Sequence, residues 1–362
     1  MKCGKSHGRY NVLTYYLVFF SMWIPALNTK DRLTTKSLPL MFILFGLFLI
    51  ILTGLRHEVG GDWFPYLNQY NRFVPNMTYT QSLVHNDPFF WLISRLNYDL
   101  GWGVYGINLM IAIIFIIGLY RLLKQQPNPW LGLAVAFPYL IIVVSMGYTR
   151  QAAAIGFIML GISYLKEGKF WRFILSVFFA TTFHKTAVIM IGIGMFQKGK
   201  GRIFKIIATL FLGMGLWSAF LAEDQAALIQ NYIVAQMESS GALIRVMMNI
   251  IPAFILFYTR KRWNKLFNDY NFWKFIALAS ILSLPLLSIS STVVDRISLY
   301  FIPLQIIVFS RLPLLLEKKI KKKRIKLLIL VYYFTVLSVW LMMGTFSYWW
   351  LPYQNIIFHN LL

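Results

Sequence analysis

The chain has 362 residues, of which 58% are hydrophobic and 17% aromatic, and its formal net charge is +23. A soluble domain cannot bury that much apolar surface, so the composition excludes a soluble protein and indicates a membrane protein. Basic runs alternate with long apolar stretches, which is the positive-inside pattern of membrane proteins and not that of nucleic-acid-binding proteins. The single Cys3 excludes a disulfide framework and a multi-cysteine metal site.

Twelve apolar stretches follow one another, and most are long enough to cross a hydrocarbon core about 30 Å thick. They predict an all-α, polytopic integral membrane protein of about twelve transmembrane or half-membrane helices, organised as a single domain over residues 1–362. The first stretch has no small-residue cleavage site, so we predict a retained helix. The stretches are 10–27, 38–55, 103–121, 130–146, 149–165, 170–183, 185–197, 203–220, 243–259, 272–290, 296–312 and 327–344.

Six short linkers between these stretches carry most of the Lys and Arg residues. By the positive-inside rule we predict that all six linkers face the cytoplasm. Residues 56–102, after the second helix, and residues 221–242 then become the outward-facing segments. Residues 170–197 begin and end at cytoplasmic linkers, so they should form a helical hairpin with its tip at 184–185. The six linkers are 28–36, 121–129, 166–172, 198–205, 260–274 and 311–326.

Four cations lie on the outward side, where apolar helices end or turn. Positive residues are disfavoured there by the charge asymmetry and cost about 2.5–3.5 kcal/mol each at membrane depth. Each one alone is explained by snorkelling or by an ion pair with a neighbour, such as Asp295 or Glu58. Together they favour a shared anionic ligand, because the planar guanidinium fork suits phosphate oxygens. The four cations are Arg56, Arg150, Lys185 and Arg296.

The first candidate catalytic group follows the second apolar stretch. Gly60 and Gly61 permit a tight turn at the membrane surface, which would aim Asp62 back towards the helix ends. An ordinary capped turn at the start of an interfacial helix explains the same residues equally well.

Two further candidates occur near the predicted hairpin tip and the eleventh stretch. Lys185 disfavours the imidazolium form of His184 and so favours a neutral imidazole that can act as a base, although a lone histidine is more often structural. Asp295 directly precedes Arg296. The sequence contains no phosphate-binding loop, nucleophile elbow or zinc motif. Asp62 and Asp295 would suit a divalent ion beside a pyrophosphate, but no spacing requires one, so we predict no metal and no cofactor.

Four motifs, ordered along most of the chain, resemble signatures of the EpsG family, a branch of the Wzy-type bacterial polysaccharide polymerases. Residues 55–66 read LRHEVGGDWFPY and resemble the family's LRYxVGTDYxxY pattern. Residues 150–154 read RQAAA and are similar to its RQxxA pattern. Residues 164–193 are similar to its KxxKFxxxxxxAxxFHxSA stretch, and residues 296–300 to its RxxxY element. The chain departs from these patterns at His57, Gly61 and Lys185.

The resemblance implies an activity. Wzy-type polymerases join oligosaccharide repeat units carried on undecaprenyl pyrophosphate, at the periplasmic or extracellular side of the bacterial cytoplasmic (inner) membrane. The implied function is that of a membrane glycosyltransferase. Its partners would be the lipid-linked glycan donor and acceptor, membrane lipid and, in the same pathway, a flippase and a chain-length regulator, with no nucleic acid.

On this interpretation the reaction needs a base for the acceptor hydroxyl and positive charge for the leaving pyrophosphate. We predict His184 as the leading base, with Asp62 and Asp295 as the alternatives. The predicted pyrophosphate ligands are Arg56, Arg150, Arg296 and Lys185. The residues predicted to bind or position the glycan are Glu58, Trp63, Tyr66, Gln151 and Tyr300.

Three other classes of protein share some of these features. A lipid-linked oligosaccharide flippase or exporter needs cations along a path through both leaflets, whereas these cations cluster at one face. A glycan ligase would use the same donor site and is not separated from a polymerase by sequence. A membrane acyltransferase would place His184 in a tunnel open to the cytoplasm, which the predicted outward position of His184 opposes.

Overall fold

The computed structural model describes residues 12–33, 38–196, 201–220, 239, 241–317 and 319–359. The regular elements in these ranges are helices, joined by one isolated bridge between Arg56 and Asn355. The first nine helices are α1 Leu13–Ser21, α2 Trp23–Asn28, α3 Leu40–Gly54, α4 Trp63–Phe73, α5 Tyr79–Val84, α6 Pro88–Asp99, α7 Gly103–Lys124, α8 Pro129–Gly147 and α9 Thr149–Lys166. The others are α10 Phe170–Phe183, α11 Arg202–Phe220, α12 Ala242–Tyr258, α13 Arg260–Leu266, α14 Tyr270–Leu286, α15 Ser291–Ser298, α16 Pro303–Leu315, α17 Lys322–Met343 and α18 Ile356–His359.

Among the described residues, three helices, α7, α8 and α17, are long and apolar enough to cross a membrane. The number rises to five if the bent pairs α12–α13 and α15–α16 each form one span. Shorter apolar helices add to them, namely α1 with α2, α3, α10, α14 and the 3-10 segment that follows α10. Each apolar stretch predicted from sequence is mainly helical in the residues that the structure describes, with non-helical residues such as 38–39 and 287–290 at the ends of some stretches. The all-α membrane fold is therefore confirmed, and the count of about twelve membrane helices stays a prediction.

The predicted hairpin region contains a sharp break at His184. Helix α10 ends there, His184 itself is extended (φ −156°, ψ 107°), and a 3-10 helix runs over Lys185–Phe196. A Cβ added to Gly194 would lie 3.0 Å from the Phe173 ring and 3.3 Å from the Phe170 ring. The end of the 3-10 helix thus returns to the start of α10, so the two arms run antiparallel. The second predicted outward segment lies outside the described residues from 221 to 238.

The basic linkers meet at one end of the molecule. Arg121 contacts Glu167 at 2.7 Å and Lys166 contacts Asp269 at 3.9 Å. Lys326 contacts Asp31 at 2.9 Å, which joins the linker after α2 to the start of α17. Helix α9 has 18 residues and so is about 27 Å long. Its first turn, which carries the predicted phosphate ligand of the RQxxA motif, therefore lies at the opposite end from these contacts.

A C-terminal segment fixes the loop between α3 and α4 at that opposite end. The Gly60 N–H donates to the carbonyl of Trp349 (2.9 Å), and the His57 N–H donates to the carbonyl of Gln354 (3.0 Å). Gly60 has φ +106°, and a Cβ there would lie 2.1 Å from the Met146 carbonyl oxygen. Only glycine fits this position, because both the backbone conformation and the close approach to α8 exclude a side chain.

Candidate functional site

Arg56, just after α3, is 2% exposed. Its guanidinium donates hydrogen bonds to the carbonyls of Thr53 (2.6 Å) and Val59 (3.0 Å), to Asn108 Oδ1 (3.0 Å) and to Thr149 Oγ1 (3.2 Å). All four acceptors are neutral, and the adjoining cavity of about 20 Å³ has room for about one water molecule and is too small for a sugar. Burial lowers the pKa of Arg56 to about 10, so the group keeps its charge at neutral pH. This arrangement braces the loop against α7 and α9, which differs from the predicted direct contact with pyrophosphate.

Arg150, in the first turn of α9, is half-buried against α4 and α6. Its Nη1 donates to Asp87 Oδ2 (3.1 Å), and its Nη2 donates to Gln69 Oε1 (2.7 Å). The guanidinium carbon lies 4.4 Å from the ring centroid of Phe90 and 5.3 Å from that of Tyr66. Two hydrogen bonds and two aromatic faces therefore fix the direction of the Arg150 side chain.

The ion pair between Arg150 and Asp87 is incomplete. Arg150 Nε and Asp87 Oδ1 are buried and have no hydrogen-bond partner among the described residues. Asp87 has φ +58°, a strained conformation for a residue with a side chain, and its carboxylate does not cap α6. Buried polar atoms normally have partners, so this pair marks a place where a ligand or water would complete the bonding.

Asp62 directly precedes α4, but its side chain makes no capping hydrogen bond. In the part of the chain that the structure describes, no group donates a hydrogen bond to this half-buried carboxylate. Burial raises the pKa of Asp62 to about 6, against the lowering effect of the charges on Arg150, Arg296 and Arg56. Three arginines from distant points of the sequence thus lie close enough to act on Asp62. The alternative of an ordinary capped turn does not describe this residue.

His184 lies at the break after α10. Its Nδ1 is 2.7 Å from Thr186 Oγ1 and 3.3 Å from the Tyr300 hydroxyl, and these two hydroxyl groups are 3.2 Å apart. The hairpin and the end of α15 are therefore joined by a three-membered polar network. Tyr300 is 0% exposed, so it orients the imidazole and offers no surface to a glycan.

The electrostatic surroundings weaken His184 as a base. Burial lowers its pKa to about 4, the charges of Arg296, Arg150 and Lys185 lower it as well, and Asp87 raises it. The imidazole is neutral at physiological pH. A general base works best with a pKa near the operating pH, so Asp62 is the stronger candidate, which reverses the order predicted from sequence.

Arg296 lies on α15 with its side chain exposed. Gln151, which is 3% exposed, donates a 2.6 Å hydrogen bond from Nε2 to the carbonyl of Arg296. Gln151 was predicted to position the glycan, and its observed contact instead fixes the backbone that carries Arg296. The charge of Arg296 acts on both Asp62 and His184. The RQxxA and RxxxY motifs therefore meet at one place.

Asp295 has a different environment from the other two candidate bases, Asp62 and His184. It is 5% exposed and accepts hydrogen bonds from Arg245, through Nη2 at 2.7 Å and through Nε, and from Ser239 Oγ at 2.9 Å. The expected alternative of a pair with its neighbour Arg296 is replaced by this pair with Arg245. A carboxylate held in this way is the least suited of the three candidates to accept a proton.

The remaining predicted residues are Trp63, Glu58 and Lys185, and they have different surroundings. Trp63 is 5% exposed and its ring packs 5.5 Å from that of Tyr105, so it offers no face to a glycan. Glu58 has φ +53°, a second strained non-glycine backbone in the same region. Lys185 is half-buried beside His184 and contributes its charge there.

Sequence reasoning did not find Asp87, Thr186 or the pairing of Arg245. No group of three or more His, Cys, Asp or Glu side chains that could hold a metal ion occurs within the described ranges. We use the name Asp62 site for the set that the structure does bring together. It consists of Asp62, Asp87, Arg150, His184, Arg296 and Tyr300.

The fold and the Asp62 site define an all-helical membrane protein with a polar site where several of its helices begin or end. The EpsG family model matches residues 39–355, most of the chain and all of the Asp62 site, so the chain belongs to the EpsG family. Members of this family are similar to Wzy-type polysaccharide polymerases, and the protein is a polymerase-like membrane protein of polysaccharide biosynthesis. No curated protein and no solved structure matches the chain.

Proposed function

We propose that the protein is a polysaccharide polymerase that joins oligosaccharide repeat units carried on undecaprenyl pyrophosphate. The reaction takes place at the Asp62 site, on the outer face of the bacterial cytoplasmic membrane. The family supports the reaction class. The meeting of the basic linkers at the other end of α9 supports the outward position, since basic linkers face the cytoplasm.

The proposed step is a glycosyl transfer. The terminal hydroxyl oxygen of one lipid-linked unit attacks the anomeric carbon of the growing chain. A new glycosidic C–O bond forms while the C–O bond to the lipid pyrophosphate breaks, and the hydroxyl proton goes to a base. The pyrophosphate leaves with the bonding electron pair. Positive side chains stabilise the charge that develops on it, so the proposed step needs no cofactor.

Asp62 is the proposed base. The single observation that carries this assignment is a half-buried carboxylate that receives no hydrogen bond from the described residues and lies within reach of three arginine charges. Its pKa of about 6 leaves it mostly deprotonated at neutral pH and still able to accept a proton. In this scheme His184 orients the acceptor, and Thr186 and Tyr300 hold the imidazole in place.

Arg296 and Arg150 are the proposed ligands of the leaving pyrophosphate. Arg296 is exposed, and Arg150 keeps a buried Nε without a partner among the described residues. Arg56 contributes its positive charge without contacting the pyrophosphate, because its guanidinium already donates hydrogen bonds to neutral groups of the protein. A single preorganised donor to a developing anion is worth about 10²–10³ in rate.

The experiment is complementation of a deletion strain, read out as the length distribution of its surface polysaccharide. Arg150→Ala and Arg296→Gln should give single repeat units on the surface and no polymer ladder, at normal protein levels. Arg72→Ala is the matched control, because Arg72 is an exposed arginine of the predicted outward segment 56–102, and its one contact among the described residues is with the Phe73 ring. It should give a normal ladder.

The same readout separates the alternative classes. Loss of a flippase, exporter or ligase would remove surface glycan altogether, whereas loss of a polymerase leaves single units. A normal ladder from both Arg150→Ala and Arg296→Gln would contradict the proposal.

A further inference from the structure

A second polar region lies at the other end of α10, away from the Asp62 site. An open cleft of about 310 Å³ forms where the turn after α9 meets the start of α11. This volume is at the lower end of the range of about 300–1,000 Å³ that ligand sites occupy. Three cations and three aromatic side chains line it, namely Lys169, Arg172, Lys205, Phe170, Trp171 and Phe204.

Two of the three cations lack a carboxylate partner among the described residues. Lys169 Nζ lies 2.7 Å from Glu167 Oε2, so this charge is compensated. Among the described residues, the charged group of Arg172 lies 5.6 Å from the Tyr164 ring centroid and that of Lys205 lies 6.0 Å from the Phe170 ring centroid. The cleft therefore carries an excess of two positive charges, which favours an anionic occupant.

Apolar side chains extend from the cleft along both adjacent helices. On α10, Trp171 is 58% and Leu175 54% exposed, and on α11, Phe204 is 61% and Phe211 76% exposed. The spacings of four residues on α10 and seven residues on α11 place each pair on one helix face, so two apolar strips lead away from the cations. A small free anion would leave these apolar strips uncovered, whereas the acyl chains of a lipid would cover them.

We propose that this cleft binds the headgroup of an anionic phospholipid of the surrounding membrane. The lipid phosphate lies between Arg172 and Lys205, Trp171 lies at the interface, and the acyl chains run along α10 and α11. Both cations belong to linkers that the charge pattern assigns to the cytoplasm, and the cytoplasmic leaflet is the one with a negative surface potential. Basic pockets between membrane helices on that side are known headgroup sites.

The test is native mass spectrometry of the purified full chain in detergent, titrated with phosphatidylglycerol or with phosphatidylcholine of the same acyl chains. The wild-type protein should bind phosphatidylglycerol at least tenfold more tightly. The double variant Arg172→Gln/Lys205→Gln should weaken that binding about thirtyfold, from the contribution of two basic residues at a membrane surface. Trp171→Ala should weaken it a few-fold.

The matched control is Arg260→Gln/Lys265→Gln, which removes the same charge from two exposed residues of another basic linker. It should change phosphatidylglycerol binding less than twofold. Equal losses in both double variants, or equal binding of the two lipids, would overturn the proposal. Inorganic pyrophosphate is the third probe, and competition by it at the concentration at which phosphatidylglycerol binds would identify a site for free anions and also overturn the proposal.

Discussion

Two ionic clusters of this protein use the same residue types in opposite ways. At the end where the basic linkers meet, Arg311 is 0% exposed and donates to both oxygens of Asp269, at 2.7 Å and 2.9 Å. Its Nε donates to Gln126, and its guanidinium lies over the rings of Trp263 and Phe267. We call Asp269, Arg311 and these three neighbours the Asp269 node. Every charged nitrogen in it has a partner.

The Asp62 site is organised differently. Its central carboxylate receives no hydrogen bond from the described residues, and its Arg150–Asp87 pair leaves one atom of each partner unsatisfied. Leaving buried polar atoms unpaired costs stability, typically about 1–3 kcal/mol per group. A saturated cluster holds helices together, whereas an unsaturated one retains capacity for a ligand. The contrast agrees with our proposal that the Asp62 site carries out the chemistry, whereas the Asp269 node stabilises the fold.

The strongest test of this contrast is loss of the proposed base. Asp62→Asn keeps the shape of the side chain and removes its ability to accept a proton, so the polymerisation rate in proteoliposomes should fall about 10²–10⁴-fold. The matched control is Asp99→Asn, since Asp99 lies in the same segment, residues 56–102, and pairs with Arg95 at 2.6 Å. It should retain the wild-type rate within a factor of two. An Asp62→Asn rate within threefold of wild type would end the assignment of the base.

At the Asp269 node we expect a loss of stability and little change in the polymerisation rate. Asp269→Asn leaves the fully buried Arg311 without its counter-charge, which should cost about 3–5 kcal/mol of stability. Thermal unfolding in detergent should occur at a clearly lower temperature, while the folded fraction keeps its rate per molecule. A variant that unfolds normally but polymerises slowly would mean that the two clusters do not divide their roles as described.

A smaller effect is expected from Asp87, which in our proposal acts through Arg150 as a positioning residue. Asp87→Asn removes the charge that holds Nη1 of Arg150, and the turnover rate should fall about tenfold to a hundredfold, in line with a hydrogen bond between charged groups. The same substitution should have almost no further effect when Arg150 is already Ala. Equal effects in both backgrounds would assign Asp87 a role independent of Arg150.

The smallest expected effect is a change with pH. Asp62 titrates at about 6, so the fraction of the base form, and with it the rate, should fall about tenfold between pH 7 and pH 5. His184, whose pKa is about 4, stays neutral over this range. His184→Gln should therefore lower the rate without moving the midpoint of the pH–rate profile. A midpoint that shifts or disappears in His184→Gln would make the imidazole the titrating base.

The sequence predicts the helices well, and it groups several residues that the structure places near one another. Most described residues of the long apolar runs are helical, because a backbone in lipid must satisfy its hydrogen bonds internally. The sequence groups Arg150 and Arg296 because cations are costly at helix ends on the predicted outward side. In the structure the charges of both residues lower the pKa of Asp62. Gly60 was expected at a tight turn, and its φ of +106° agrees.

The partners within the site could not be predicted, because they depend on contacts between distant segments. Asp295 and Arg296 are neighbours in sequence, but successive residues on a helix point in different directions, so Asp295 pairs with Arg245 on α12. Asp87 is 63 positions from Arg150, and its Asp-Pro sequence is typical of an ordinary helix start. Trp63 was assigned to the glycan because aromatic rings suit sugars, yet composition does not reveal which face of a helix is buried.

The most direct test of the central claim is a double-mutant cycle between Asp62 and Arg296, measured as the initial rate of polymerisation of purified lipid-linked repeat units. The account places both residues in one reacting centre, so Asp62→Asn/Arg296→Gln should be little slower than the slower single variant. If the two losses instead multiply to their full product, the carboxylate and the guanidinium act independently, and the Asp62 site is not a single catalytic unit.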